Sequence, residues 1–400
     1  MKLRSLTQTV KEPKTCEILQ LEPRESVLPI FDDAELHLDV VRTEYKGHAL
    51  ELIKNYDLTT LQGIVCVGGD GTVHEVINGL MRRPDWRNAI KMPICPIPCG
   101  SGNALAKTAL QEAGEEYSVV NSALMAVLGA YVPFDIALAE TKTEKLYFFM
   151  SFSWGMIADS DIESEKLRFL GEIRFTLAGI KCCMINKVYH GILQYLPYRE
   201  YIVQSVDDST GLESFRDMLS GEESVRMKPM MGVICPQRQL PDTNTPQTSA
   251  GPIEEPEVPN ANLLEPFEHQ LSGDWVTIDS LFTIFNPTLL PYLTRSMKIA
   301  PSHAMGGGYI TLVMARGGQT RIAILQAMRD WEKERHSDVE IIKVEAFRFI
   351  PQDLDGVYSI DGEVYPVQIF QAQVLKQLGR IMCRKVRDRN TVKMTENVLS

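Results

Sequence analysis

A chain of 400 residues that is 44% apolar can bury two separate cores. Its formal net charge of −11 and pI near 5.3 argue against nucleic acid as a partner, and require any phosphate to be held by local cations and backbone N–H groups. The eight cysteines form no C-x-x-C pair, and no apolar run approaches about 18 residues, so neither a zinc site nor a membrane-spanning helix is expected. Cys66, Cys95 and Cys99 sit in or beside apolar strands and read as reduced thiols of a cytosolic protein. The N-terminus lacks an apolar signal core.

Residues 1–26 are polar, aperiodic and expected to be disordered. From about Val27 to Pro133 helix and strand alternate, with pieces at Leu36–Val41 and Ala49–Ile53. Gly63–Thr72 is the most informative run. Ile64–Val67 predicts a short parallel strand, Gly68, Gly69 and Gly71 surround Asp70, and Val73, Val76, Ile77 and Leu80 mark a helix face. Glycines let a ligand approach the backbone, and a helix start suits phosphate. A carboxylate there repels phosphate, so as a functional group it accepts a proton, which points to phosphoryl transfer. Asp-Gly is also ordinary turn chemistry, and Asp often simply caps a helix. Pro93–Cys99 is a second strand, running into Gly100-Ser101-Gly102-Asn103 and the helix-like Ala104–Ala109. Two strand–glycine–helix units place both loops at the carboxyl edge of one parallel sheet. Neither loop fits Walker A or the dinucleotide fingerprint.

After Phe134 the texture becomes β-rich, at Asp135–Ala139 and Leu146–Phe152, with a helix over about 161–187. Residues 205–272 hold eight prolines among many acids and amides and read as an insertion, unable to order itself at Pro241–Asn262. Strands resume at Trp275–Phe285, Tyr309–Ala315, Ile341–Ile350 and Val357–Val367, with a helix near Thr320–Glu334. The expectation is an α/β fold: an N-terminal domain on a parallel sheet, a C-terminal mostly antiparallel β domain, and the site in the cleft between.

A third cluster spans Ala158–Phe175. Ser160 and Glu163 fit a capping box, which leaves Asp159 and Asp161 unexplained. Asp161, Glu165 and Arg168 share a helix face by spacing, a pattern suited to a substrate cationic at one end and phosphorylated beside it.

Here the residues match a family. The chain resembles the sphingosine kinases, within the wider diacylglycerol-kinase-like lipid kinases. The broad resemblance lies in Gly68–Thr72 and Gly100–Asn103. The narrower one lies in Ser153–Asp159, Glu163–Lys166 and Gly171–Phe175, with support from Thr43-Glu44, His48-Ala49, Pro84–Trp86, Asp274–Val276 and Asp361–Glu363. It covers roughly 27–200 and 270–383. It implies a leader over 1–26, an α/β nucleotide-binding domain over 27–133, and a β-rich lipid-binding domain over 134–385 with the insertion at about 205–272. A tail follows over 386–400.

The resemblance implies ATP- and Mg²⁺-dependent phosphorylation of the primary hydroxyl of a sphingoid base. By position, Asp70 becomes the general base. Thr43, Glu44, Tyr45, Lys46, Gly47, Glu75, Gly100, Ser101, Gly102, Arg168, Arg174, Asp361, Gly362 and Glu363 line the nucleotide. Gly68, Gly69, Asp70, Gly71 and Asp161 meet the lipid; the metal ligands stay unassigned. Asp361-Gly362 is equally the best hairpin signal in the chain. Phe152, Trp154, Met156, Ile157, Phe169, Leu170, Ile173 and Phe175 are candidate walls for the lipid tail, and Leu177 and Ile180 beside Lys181 a candidate membrane-docking face. The expected partners are a sphingoid base, ATP and, peripherally, a membrane surface. A homodimer is compatible with the family, and the expected location is the cytoplasm with reversible membrane recruitment. Ceramide or diacylglycerol kinase shares both glycine loops, but acids near the head group favour a cationic amine. NAD kinase shares Gly-Gly-Asp-Gly without the 153–175 motif. A catalytically weak, lipid-binding regulatory form is a third alternative. In the resembled family an Asn-Pro-containing phosphate loop precedes the Thr-Glu segment. Residues 1–26 contain neither Asn nor Gly, so weak ATP binding is expected of the chain as written, with only Val27–Glu35 answering to the loop's helix.

Overall fold

The structure is a computed structural model that describes residues 26–100, 102–165, 167, 173–199, 263–271, 273–317 and 319–384. The α/β region opens with helix α1 (26–33). Residues 36–44 follow as irregular chain, where Leu36–Val41 was expected to form a regular piece; α2 (His48–Asn55) comes next. β1 (Ile64–Gly68) leads through Gly69 into α3 (Asp70–Met81), whose buried face carries Val73, Val76, Ile77 and Leu80 as their spacing predicts. After the short α4 (Trp86–Ala89), β2 (Ile94–Pro98) pairs in parallel with β1, Ile64 opposite Ile94. α5 (Ala104–Glu112) and α6 (Val119–Leu128) complete this region.

The rest of the described chain is mostly strand. β3 (Tyr131–Thr141), β4 (Lys145–Phe148) and β5 (Phe152–Gly155) precede α7 (Met156–Glu165) and α8 (Ile173–Ile185). Then come β6 (Tyr189–Pro197), β7 (Val276–Thr288), β8 (Tyr292–Thr294), β9 (Met297–Lys298) and β10 (Ile310–Arg316). Helix α9 (Arg321–Glu332) is capped by the Thr320 hydroxyl, which accepts from the Ala323 N–H. The last strands are β11 (Glu340–Pro351), β12 (Tyr358–Ile360), β13 (Glu363–Tyr365) and β14 (Phe370–Met382). β6 and β14 were not anticipated: β6 alternates buried and half-buried positions but carries apolar Ile192 and Leu196 on its half-buried face, and β14 is buried throughout its first half.

One twelve-stranded sheet joins both regions: nine strands run in the order β1-β2-β14-β11-β10-β7-β5-β12-β13, while β3 (with β4 beside it) and β6 branch from this path. β14 is the seam: it pairs antiparallel with β3 and β11, and parallel with β2 where Ile381 faces Ile94. The long strands β7 and β11 each pair with β6 at one end and β10 at the other, so these four strands close on one another. Inside lies an aromatic core in which Phe152 stacks on Phe370 and Phe285 on Phe349. Phe152 and Trp154, candidate walls for a lipid, belong to this core instead.

Three further expectations need correction. The helix expected over 161–187 is two helices. Its first begins at Met156, not after Ser160, because β5 runs directly into it. Ser160 is therefore no cap: its hydroxyl donates to the Met156 carbonyl one turn back, and Glu163 pairs with Lys181 of α8. The face expected of Asp161, Glu165 and Arg168 rests on Arg168, which lies outside the described residues. Residues 263–271, inside the stretch expected to be an insertion, are held in place. The buried Arg348 guanidinium donates to the Glu265, Pro266 and His269 carbonyls, and the Leu263 N–H donates to Gln373. Most of the insertion falls within 200–262, outside the described residues, as do residues 1–25 and the tail from 385.

Candidate active site

The two glycine turns meet. At Gly100 an added Cβ would lie 2.6 Å from the Gly69 Cα, so backbone presses on backbone and only glycine fits. Asn103 closes the second turn, accepting from the Gly100 N–H and donating to the Gly100 carbonyl. Asp70, the first residue of α3, turns its carboxylate across this junction to the start of α5, where Oδ2 accepts from the Ala104 N–H (2.8 Å) and Oδ1 from the Leu105 N–H (3.1 Å). It thus caps a helix, but not its own. Burial pushes its carboxyl up to about 6; the Ala104 and Leu105 N–H groups oppose that rise and the nearby Asp361 charge adds to it. A buried carboxylate with that affinity for protons can act as a base near neutral pH.

A cavity of about 660 Å³ opens on Asp70. Its polar side is lined by Tyr45, Lys46, Gly69, Gly71, Glu75, Gly100, Gly102 and the β12–β13 turn Asp361–Glu363. Glu75 caps α2 from outside, accepting from the Gly47 (2.7 Å) and Ala49 (3.0 Å) N–H groups, and so fixes the Thr43–Gly47 segment. Thr43 is buried, and the Glu44 N–H donates to His48. Lys46 forms an ion pair with Glu363 from the opposite wall of the cleft.

The Asp361-Gly362 pair is a hairpin turn. Both residues are left-handed, at φ 51° and 84°, between Ile360 and its partner Glu363. The Asp361 side chain points inward and is buried. It accepts from the N–H groups of Phe149, Met150 and Ser151 (2.9–3.1 Å) and lies 2.9 Å from His74 Nδ1. Asp161 reaches the cavity from α7, its Oδ2 accepting from the Ser359 hydroxyl of β12 at 2.7 Å. Its neighbour Asp159 faces away and accepts from the Tyr189 hydroxyl; burial raises its pKa. Arg174 is buried on α8, lines the cavity and donates to the Ser164 carbonyl at 3.4 Å. Ser101 and Arg168 lie outside the described residues.

The far side of the cavity is apolar: Met156 and Ile157 from α7, Leu293, Met297, and Met328 and Trp331 from α9. Among the described candidate lipid walls only Met156 and Ile157 line it. Ile173 is 64% exposed; Phe169, Leu170 and the Phe175 side chain are not described. Sequence reasoning also missed Ser359 and His74. An alternating strand before Asp-Gly could have indicated Ser359, and the i, i+4 spacing from Asp70 could have indicated His74.

Comparison with known proteins fits this arrangement. The diacylglycerol kinase catalytic domain family matches residues 14–137, starting ahead of Val27, where the resemblance was expected to begin. Human sphingosine kinase 1 is 32% identical over 363 residues, covering 88% of this chain and 83% of the relative. Sphingoid long chain base kinase 4 of Schizosaccharomyces pombe is 31% identical over 360 residues, covering 88% and 69%. Among solved structures, a diacylglycerol kinase of Bacillus anthracis has the same fold, with a TM-score of 0.55 at 14% identity, covering 96% of this chain and 98% of that one. With its buried acid between two glycine turns and an identity above 30% across most of a curated relative, this chain belongs to the sphingosine kinase family of lipid kinases.

Proposed function

We propose that this chain transfers the γ-phosphoryl group of ATP to the primary hydroxyl of sphingosine or a related sphingoid base, giving the 1-phosphate. The observation that carries this reading is a single cavity in which Asp70, at the glycine junction, and Asp161 share space with an apolar end. Asp70 takes the hydroxyl proton. The oxygen then bonds to the γ-phosphorus, the bond from phosphorus to the bridging oxygen breaks, and ADP leaves. The nucleotide lies on the polar side, against Thr43–Gly47, Gly100–Gly102 and Asp361–Glu363, where the glycines let its phosphates approach the backbone. Asp161 accepts from the substrate ammonium, a group that ceramide and diacylglycerol lack. Met156, Leu293, Met297 and Trp331 take the tail, whose methylenes contribute roughly 0.8 kcal/mol each on burial.

The reaction calls for Mg²⁺, which neutralises phosphate charge. Among the described residues no group of three His, Cys, Asp or Glu side chains can hold a metal, so the residues do not form a cage for it and no step is assigned to it. The reading includes reversible membrane contact from a cytoplasmic pool. The outer face of α8 exposes Ile173, Leu177, Ile180 and Met184, spaced at i, i+4, i+7 and i+11. No described helix is long and apolar enough to cross a membrane.

The test is transfer of labelled phosphate from ATP to sphingosine, diacylglycerol, ceramide and NAD offered in parallel. Sphingosine should be the preferred acceptor by a wide margin. Preference for diacylglycerol, ceramide or NAD, or absence of transfer to all four, overturns the reading.

A further inference from the structure

Asp70, His74 and Asn78 follow one another at i, i+4 and i+8, on one face of α3. Asn78 is held at both ends of its amide: the Tyr147 N–H donates to Oδ1 (3.0 Å) and Nδ2 donates to the Tyr147 carbonyl (2.8 Å). Its second N–H donates to the His74 carbonyl (3.0 Å), and Nδ2 lies 3.3 Å from His74 Nε2. On the other side of the ring the Asp361 carboxylate, already an acceptor for three backbone N–H groups, calls for a further donor, so His74 Nδ1 carries a proton. His74 Nδ1–H then donates to Asp361 Oδ2, completing the four N–H groups that surround that carboxylate. The result is a buried chain from the β4 backbone through Asn78 and His74 to the β12–β13 turn. It crosses between the α/β and β-rich regions at a level a single helical turn below Asp70.

We propose that His74 is a positioning residue for the phosphoryl transfer, a pin between α3 and the β12–β13 turn that fixes where Asp70 stands in the cleft. The inference rests on Asp70 being the base. Asp70 begins its helix between Gly69 and Gly71, so its own turn supplies little stiffness. His74 and Asn78 supply it from below. A base displaced by about 1 Å loses on the order of 10²-fold in rate while the substrates still bind.

His74→Leu deletes the donor. His74→Asn retains it, because its amide NH₂ reaches the place of Nδ1–H. On the full chain with ATP and sphingosine, His74→Leu should lower kcat by roughly 10- to 100-fold with both KM values little changed, and His74→Asn should restore most of that loss. Unchanged kcat in His74→Leu, or equal loss in both variants, overturns the proposal. So does a parallel rise of both KM values, the mark of a general packing role. Nitrogen NMR of ¹⁵N-histidine-labelled wild-type protein decides the case if the variants do not fold. A protonated Nδ1 on His74 is expected; a bare Nδ1 overturns the chain of bonds. Asp70→Asn separates the two levels: wild-type turnover there defeats the base assignment itself, whereas loss of turnover there with an intact His74→Leu defeats only the pin.

Discussion

At the polar end of the cavity the side chains are fixed by backbone. Asp70 accepts from two N–H groups of α5, Asp361 from three of the Phe149–Ser151 segment, and Glu75 from two of the Gly47–Ala49 segment at the start of α2. At the apolar end the lining comes from side chains on separate elements, Met156 and Ile157 from α7, Met297 from β9, Met328 and Trp331 from α9, packed by apolar contact. The first kind of wall tolerates no displacement, because a donor–acceptor pair weakens steeply once bent or stretched. The second tolerates repacking, methionine above all. Chemistry is therefore expected to be exacting at one end and tail selection permissive at the other.

The comparison breaks most sharply at Asp70. Asp70→Asn should lower kcat by about 10²–10⁴-fold, with sphingosine affinity measured by direct binding little changed. Gly100→Ala comes next. Its methyl must enter the space of the Gly69 backbone, and the resulting shift of both turns should cost on the order of 10²-fold in kcat/KM. A normal rate would mean that the polar end is as adaptable as the apolar one. Asp161→Ala should lose a charge-assisted bond of roughly 1.5–3 kcal/mol, raising the KM for sphingosine while that for ATP holds. Equal change in both constants would remove Asp161 from the head group.

A pH profile sharpens the same contrast. Asp70 must be ionised to accept a proton, and its carboxyl sits at about 6, so kcat/KM should level off above that pH and fall roughly tenfold per unit below it. An acid limb near the ordinary carboxylate range would show that burial does not hold in solution. The smallest effect is expected at Trp331, whose indole N–H is tied to the Ser337 hydroxyl at 2.7 Å. Trp331→Leu should shift preference toward longer tails by less than about 10-fold, read from kcat/KM across a chain-length series.

This division also explains what could be read from the sequence. β1, α3, β2 and α5 were legible because glycines and apolar periodicity act locally, and the pairing of the two glycine turns followed from topology. α9 was legible for the same reason. The role of Ser160 was misread because a capping box needs an irregular residue before it, and β5 instead enters α7 without a break. The aromatic walls were misread because Phe152 and Trp154 alternate along a strand whose faces only the sheet order can assign. His74–Asp361 joins residues 287 apart in sequence, and no local pattern carries such a pair.

β14 carries a consequence of another kind. Because one strand pairs with β3 and β11 along its length and meets β2 at Ile381, the α/β region and the β-rich region share a single mechanical spine. Hinge opening of the kind seen when two lobes swing on a linker would have to tear that strand's ladder. Melting should follow suit: calorimetry should show the two halves losing structure together, in one cooperative transition, where independent lobes would give two.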